Sequence, residues 1–287
     1  MRVGASRCAL RHERRAYCSS CVLLQVQTGR NIDKSNKFYI QAYQSRSVTN
    51  LELAKLSVLL LTDGYISKNR NTYEIGFVNT SEILLKMFQQ FIKNLFNIKT
   101  FGLSKKASGA YVTRFYSKPV AKSLLKCCGT FRTKAYKNGT FPKPNLLAVT
   151  NNFNKREIAE LLRLAFTLDG GLAIGISDKR TEAKILLKCY NPYLRKHFSR
   201  LLKQLDMEHT INREGIFLRK KKSIIDFADR IGFVKGIRIG HDSKRFYGFE
   251  KQKLLKIVTK SIKNNSLKEF GLSMRHAGAK TFQCISV

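Results

Sequence analysis

Apolar positions along this chain follow two rhythms, one of period 3.6 and one of period 2, and the order in which they alternate occurs twice. The first cycle opens at residues 56–64, Leu56-Ser-Val-Leu-Leu-Leu-Thr-Asp63-Gly64, an apolar helical stretch that stops at a carboxylate followed by glycine. Residues 65–68 and 73–79 then alternate apolar with other side chains, as half-buried strands do. Asn69, Arg70 and Asn71 between them are turn chemistry. Residues 81–96 carry Ile83, Leu84, Met87, Phe88, Phe91, Ile92 and Leu95, a helical stripe, with Thr80 or Ser81 as N-cap. A second strand pair is predicted at 99–103 and 110–116. A helix follows at 118–128, stopped by Gly129.

The second cycle repeats this order. Its helix, 157–169, ends in Leu162-Arg-Leu-Ala-Phe-Thr-Leu-Asp169-Gly170. Strands are predicted at 172–176 and 183–189, then a helix at 192–205 with Leu194, Phe198, Leu201, Leu202 and Leu205 on one face. Short strands at 209–213 and 216–219 lead to a helix at 222–230, stopped at Gly232. Asp63 and Asp169 stand 106 residues apart (169 − 63), and Gly129 and Gly232 stand 103 apart (232 − 129). Matching offsets at two separate landmarks indicate a duplicated α-β-β-α-β-β-α unit.

The predicted fold class is therefore α+β, with two pseudo-symmetric halves packed through the helices that end at the aspartates. The expected domains are a basic N-terminal extension at 1–49, without regular order, a first half at 50–130, and a linker at 131–154 containing Gly139, Pro142 and Pro144. A second half at 155–240 and a C-terminal helix and tail at 241–287 complete the chain. Within the last segment only 251–262 has a helical pattern.

Charge changes what this scaffold is expected to hold. The chain has 287 residues, with 54 Lys+Arg against 19 Asp+Glu, a formal net charge of +35. Such a chain repels itself unless a polyanion is present, so nucleic acid is the expected partner. A membrane is not expected, because no apolar run approaches the roughly 18 residues a spanning helix needs. If the two motif helices pack side by side, their last turns meet and Asp63 comes to Asp169. An anion at a helix C-terminus opposes the macrodipole. Two of them, in a chain this basic, point to a divalent metal held against a nucleic acid phosphate. Mg2+ is expected, with Mn2+ as a substitute.

The seven cysteines do not form a disulfide pattern, since Cys127 and Cys128 are adjacent and Cys189 lies in an apolar segment. Free thiols point to an intracellular, reducing compartment, the cytoplasm or nucleoid, with an organelle as the alternative. Cys8, His12, Cys18 and Cys21 are the residue types of a small zinc site, but their spacing matches no common pattern. The N-terminal segment is also Arg-rich and nearly acid-free, as mitochondrial presequences are, without a convincing amphipathic helix.

The twice-written apolar nonapeptide ending in Asp-Gly, as Leu-x-x-Leu-x-x-x-Asp-Gly in the first copy and with Ala165 at the fourth position in the second, and with Phe77-Val-Asn-Thr-Ser-Glu82 opening the next helix, resembles the signature of the LAGLIDADG homing endonucleases in their single-chain, two-motif form. Val58, Leu164 and Leu168 are larger than the residues usual at those motif positions. The resemblance spans roughly residues 50–240. It implies a monomer with internal pseudo-two-fold symmetry and saddle-like DNA-binding sheets, cutting both strands of duplex DNA with one Asp from each half. It implies a water-positioning polar residue at Asn79. It implies a basic residue after each third helix, for which Lys134 and Lys235 stand in place and Arg132 and Arg238 are substitutes.

The sheet faces away from the helices would meet DNA. Lys184 and Lys188 face out if Ile185 and Leu187 face in, and Arg114 and Tyr116 face out from the fourth strand. Lys68, Arg70, Lys179 and Arg180 lie at the hairpin turns. Such ribbons fit the major groove, and the run 219–222 suits phosphate. No protein-splicing blocks are evident, so an intron-encoded enzyme is expected. Two other readings use the same scaffold: an RNA-binding maturase bound to intron RNA, and a non-catalytic DNA-binding regulator. Neither needs the aspartates.

Overall fold

The computed structural model describes residues 50–176, 181–240, 243 and 246–276. The candidate zinc residues Cys8, His12, Cys18 and Cys21, and Lys179 and Arg180, expected at a turn, lie outside the described residues.

The first half runs α1 (Asn50–Thr62), β1 (Gly64–Asn69), β2 (Thr72–Asn79), α2 (Glu82–Phe96), β3 (Gly102–Lys105), β4 (Tyr111–Tyr116) and α3 (Lys118–Cys128). A single 3-10 turn, Leu146–Val149, interrupts the following connection. The second half runs α4 (Lys155–Leu168), β5 (Gly170–Ile176), β6 (Thr181–Lys188), α5 (Pro192–Gln204), β7 (Thr210–Ile211), β8 (Gly215–Leu218) and α6 (Lys221–Arg230). Two further helices follow, α7 (Lys251–Lys263) and α8 (Leu267–His276). Each half holds a four-stranded antiparallel sheet, ordered β1-β2-β4-β3 in one and β5-β6-β8-β7 in the other. The duplication read from the sequence is thus a duplication of topology.

The motif helices differ in how they are buried. α1 is apolar on every side, and Leu53, Ala54 and every residue from Leu56 to Leu61 are buried, as expected of a helix enclosed all round. α4 keeps one polar face. Its start is fixed by a capping box in which Asn154 Oδ1 accepts from the Glu157 amide at 3.0 Å and Glu157 Oε2 accepts from the Asn154 amide at 2.9 Å. Between the helices, Lys55 Nζ on α1 donates to Glu160 Oε2 on α4. Among the described residues no helix is long and apolar enough to cross a membrane.

The larger departures from the sequence expectation are these. β3 starts at Gly102, not 99, and β7 has only two residues. The tail beyond Asn264 forms α8, whose Gly271 packs against the β5–β6 hairpin. A Cβ at Gly271 would lie 2.0 Å from Thr181 Oγ1. The connection at 131–154 is also tied down, because Asn191 Nδ2 donates to Thr133 O at 3.2 Å and Pro142 O at 2.9 Å.

Candidate active site

Each motif helix passes straight into the first strand of its sheet. Asp63 N donates to Leu59 O at 3.2 Å and Asp169 N donates to Ala165 O at 3.1 Å, closing the last helical turns. Each aspartate carbonyl then accepts from the second strand, from Val78 N at 3.0 Å and from Lys188 N at 2.9 Å. The glycine after each aspartate is required by space. A Cβ on Gly64 would meet Leu60 Cα at 2.5 Å, and one on Gly170 would meet Leu186 O at 2.6 Å and Phe166 O at 2.7 Å. The Asp-Gly repeat in the sequence is therefore a steric requirement of a helix that turns into a strand within one residue.

The two carboxylates share one enclosed environment. Burial, and after it the charge on Asp63, push Asp169 from its ordinary 3.8 up to about 7. Burial also raises Asp63, against the hydrogen bond from Asn79 and the charge of Lys251. Asn79 Nδ2 donates to Asp63 Oδ2 at 2.8 Å, and its own Oδ1 accepts from the Ser81 amide at 2.8 Å, which fixes the amide orientation. The register places Cys189 at the corresponding position of the second half, directly after the residue that bonds to the aspartate carbonyl. Its thiol is pushed up to about 12 by burial first and Asp169 second.

The cation at this site is Lys251, which the sequence reading did not select. Its Nζ donates to Thr167 O at 2.6 Å and Gly170 O at 2.7 Å, on either side of Asp169. It thereby meets the negative end of α4. Burial lowers Lys251 to about 8, against the pull of Asp169 and Asp63. A backbone bond from Lys251 N to Ile237 O at 2.8 Å brings the start of α7 to this point. A signal was available: a lysine in the first turn of a helix is unfavourably placed for the macrodipole, which calls for a separate reason.

Lys134 and Lys235 are both exposed. Neither is among the cations acting on the two aspartates, which are Lys251 and, for Asp169, also Lys188. Lys235 instead lines a cavity of about 430 Å³ with Lys55 and Glu160, about 12 Å along α1 from Asp63 at 1.5 Å per residue. Arg132 is occupied with Lys134 O and Ala135 O, and Arg238 with Gly248 O.

The residues proposed to meet DNA divide by face. Lys184 and Lys188 are exposed while Ala183, Ile185 and Leu187 are buried, so both lysines stand on the open face of the second sheet. Lys184 and Arg219 both lie over the Phe217 ring, at 5.7 and 4.9 Å. Arg114 and Tyr116 are on the open face of the first sheet. Lys68 is a correction. It pairs with Tyr73, in alternation with Ile66 and Ile75, which puts it on the helix side of the sheet at the hairpin tip. Arg70 is at that tip, with φ of 50°, and is exposed.

Residues 50–127 match the model of the LAGLIDADG-like domain. The first half is thus similar to a LAGLIDADG-like domain. The second half repeats its strand order around a second Asp-Gly. No curated protein matches the chain. Among solved structures, I-DmoI in complex with DNA and Mn is 20% identical, with 63% of this chain and 96% of that one covered at a TM-score of 0.44. The LAGLIDADG meganuclease I-AabMI bound to uncleaved DNA is 12% identical, with 77% and 95% covered at a TM-score of 0.46. I-WcaI bound to its DNA recognition sequence is 15% identical, with 72% and 90% covered at 0.42.

The donor set around the LAGLIDADG-like motif suits a hard cation. Two carboxylates offer only oxygen, and a divalent ion would offset both the burial and, after it, the charge on Asp63 that push Asp169 up to about 7.

Proposed function

We propose that this chain is a site-specific, divalent-metal-dependent endonuclease that cuts both strands of duplex DNA, encoded within an intron. The observation that carries the reading is the meeting of Asp63 and Asp169, one from each repeat, at the ends of two packed helices. A structural role alone gives no reason to hold two carboxylates together in an enclosed place.

Asp63 and Asp169 would hold the cation, Mg2+ or Mn2+. When bound, such an ion neutralises charge on the phosphate and eases deprotonation of the attacking water. Asn79, fixed by the Ser81 amide, holds the Asp63 carboxylate in one rotamer. Lys251, fixed by two carbonyls, brings a positive charge to where negative charge develops on the scissile phosphate. In this role it replaces Lys134 and Lys235. The open sheet faces, with Arg114, Lys184 and Lys188, would lie in the major groove. Arg70 would reach it from the tip of the β1–β2 hairpin. A maturase or a regulator on this scaffold would bind nucleic acid without using the aspartates.

The test is incubation of the full chain with Mg2+ and a library of duplex targets, followed by sequencing of cut ends. The expected result is one recurrent pair of cuts. Binding of intron RNA with no cutting of any duplex would replace this reading by the maturase.

A further inference from the structure

The open face of the first sheet carries an acidic residue where a surface for a polyanion should avoid one. Glu74 Oε1 accepts from the Tyr65 hydroxyl at 2.5 Å, and Oε2 accepts from the Tyr116 hydroxyl at 2.9 Å. Arg114 Nη1 lies 3.9 Å from Oε1. The four side chains come from three neighbouring strands, β1, β2 and β4. The sheet is shaped around them. Arg114 pairs with Gly76 on one side and Gly102 on the other. A Cβ on Gly76 would lie 2.4 Å from the Tyr65 ring. Without a side chain at Gly76 the Tyr65 ring can lie across the sheet towards Glu74 and Arg114, while Tyr116 remains 63% exposed.

The hydrogen bonding decides what this cluster can bind. Both tyrosine protons are committed to Glu74, so the hydroxyl oxygens face outward as acceptors. The tyrosine protons, that of Tyr65 first, hold the Glu74 carboxyl below its ordinary range. Burial, then the bond to Glu74, hold the Tyr65 phenol up near about 12. Donors come from Arg114 alone and acceptors from the other three. A phosphate presents only acceptors and is repelled by the carboxylate. A G·C base pair presents both in the major groove: guanine N7 and O6 accept, and the cytosine amino group donates.

We infer that Tyr65, Glu74, Arg114 and Tyr116 form a base-reading site for one G·C pair. In it Arg114 donates to guanine, and Glu74 both aims Arg114 and, with Tyr116, accepts from the cytosine amino group. This rests on the reading of the chain as a duplex-binding endonuclease and names residues that set its specificity.

The test is selection from a randomised duplex library by the full-length protein with chelator present, so that binding is read without cutting. The wild type should enrich G·C at one position. Glu74→Gln and Arg114→Ala should each lower that preference about ten-fold at that position and leave the others unchanged. Tyr116→Phe should lower it by a smaller factor at the same position. Should Glu74→Gln fail to fold, Tyr116→Phe, altered only at an exposed hydroxyl, decides by the same readout. An unchanged profile in these variants, or a uniform loss over all positions, would overturn the site and leave the endonuclease reading intact. A wild type that enriches no duplex at all would overturn both.

Discussion

The two halves share a backbone and differ in what stands around their aspartates. In the first, Asn79 grips Asp63 through a 2.8 Å hydrogen bond. In the second, the matching position is Cys189, whose Sγ turns to Asn191 O at 3.5 Å. In the first, the chain leaves for the linker after α3. In the second, it continues into α7 and α8, and Lys251 at the start of α7 donates to the carbonyls on either side of Asp169 and feels the charge of both aspartates. The open faces diverge too, with an acid-centred cluster on one sheet and Lys184 and Arg219 over Phe217 on the other. Duplication has thus been kept where backbone geometry is needed, at the Asp-Gly turns, and abandoned in the side chains around them.

The strongest way to break this comparison is at what the halves share. Asp63→Asn and Asp169→Asn should each lower cutting by about 10³-fold, the scale of a lost metal ligand, and leave DNA affinity intact or raised. Single-turnover cleavage and equilibrium binding measure the two effects. A variant that cuts at the wild-type rate removes that aspartate from the site. Lys251→Met comes next. It should cost about 10²-fold in cutting on both strands, because one lysine serves both aspartates. A loss confined to one strand would assign Lys251 to its own half.

Titration sharpens the contrast between Asp169 and its environment. In the fold Asp169 titrates near about 7, against 3.8 for the free side chain. Between those values the folded chain holds a proton that the unfolded chain has released. Stability from this group is therefore fully present below about pH 4 and is lost as pH rises towards 7. Metal-free Asp169→Asn should be more stable than wild type at pH 8, by on the order of 1–3 kcal/mol, with no gain near pH 4. Mg2+ should raise the melting temperature more at pH 8 than at pH 5.5. Equal shifts at both pH values would contradict a protonated Asp169.

The smallest effect tests the asymmetry itself. Asn79→Ala should slow cutting about ten-fold on one strand, the scale of a hydrogen bond to a charged group, so that nicked duplex accumulates. Cys189→Ala should leave both rates nearly unchanged and cost about 1 kcal/mol of stability. Labelling each strand separately gives both rates. Equal losses in the two variants would mean that the halves are equivalent after all.

Much of the scaffold was legible because it is local. Period-2 and period-3.6 patterns found nearly every strand and helix, and Asp-Gly marked both turns. Parity also put Lys184, Lys188 and Arg114 on the correct face. It failed for Lys68, treated as a turn residue although the strand continues to Asn69 and carries it to the helix side. α8 was missed because the sequence beyond Asn264 is mixed and shows no clear helical period; the bare α-carbon of Gly271 lets that helix approach Thr181. Lys251 was missed for a different reason. Its contacts with Thr167 and Gly170 span 84 and 81 residues of chain, and no periodicity encodes a contact of that kind. The Glu74 cluster was hidden in the same way, being assembled from β1, β2 and β4.

The Lys55–Glu160 ion pair has no mirror image. Under the repeat that carries Asp63 onto Asp169, Lys55 falls on Leu161 and Glu160 on Ala54. Two copies of the first half, mated through α1, would set a lysine against alanine-bearing apolar surface on each side. Two copies of the second would do the same with a glutamate. Self-pairing of the first half strands a half-buried lysine away from its acid, and self-pairing of the second leaves Glu160 with only Arg156 of its own helix. Each half therefore selects the other and rejects itself. The chain carries its own rule for who may pair with whom, written in one lysine and one glutamate at the seam.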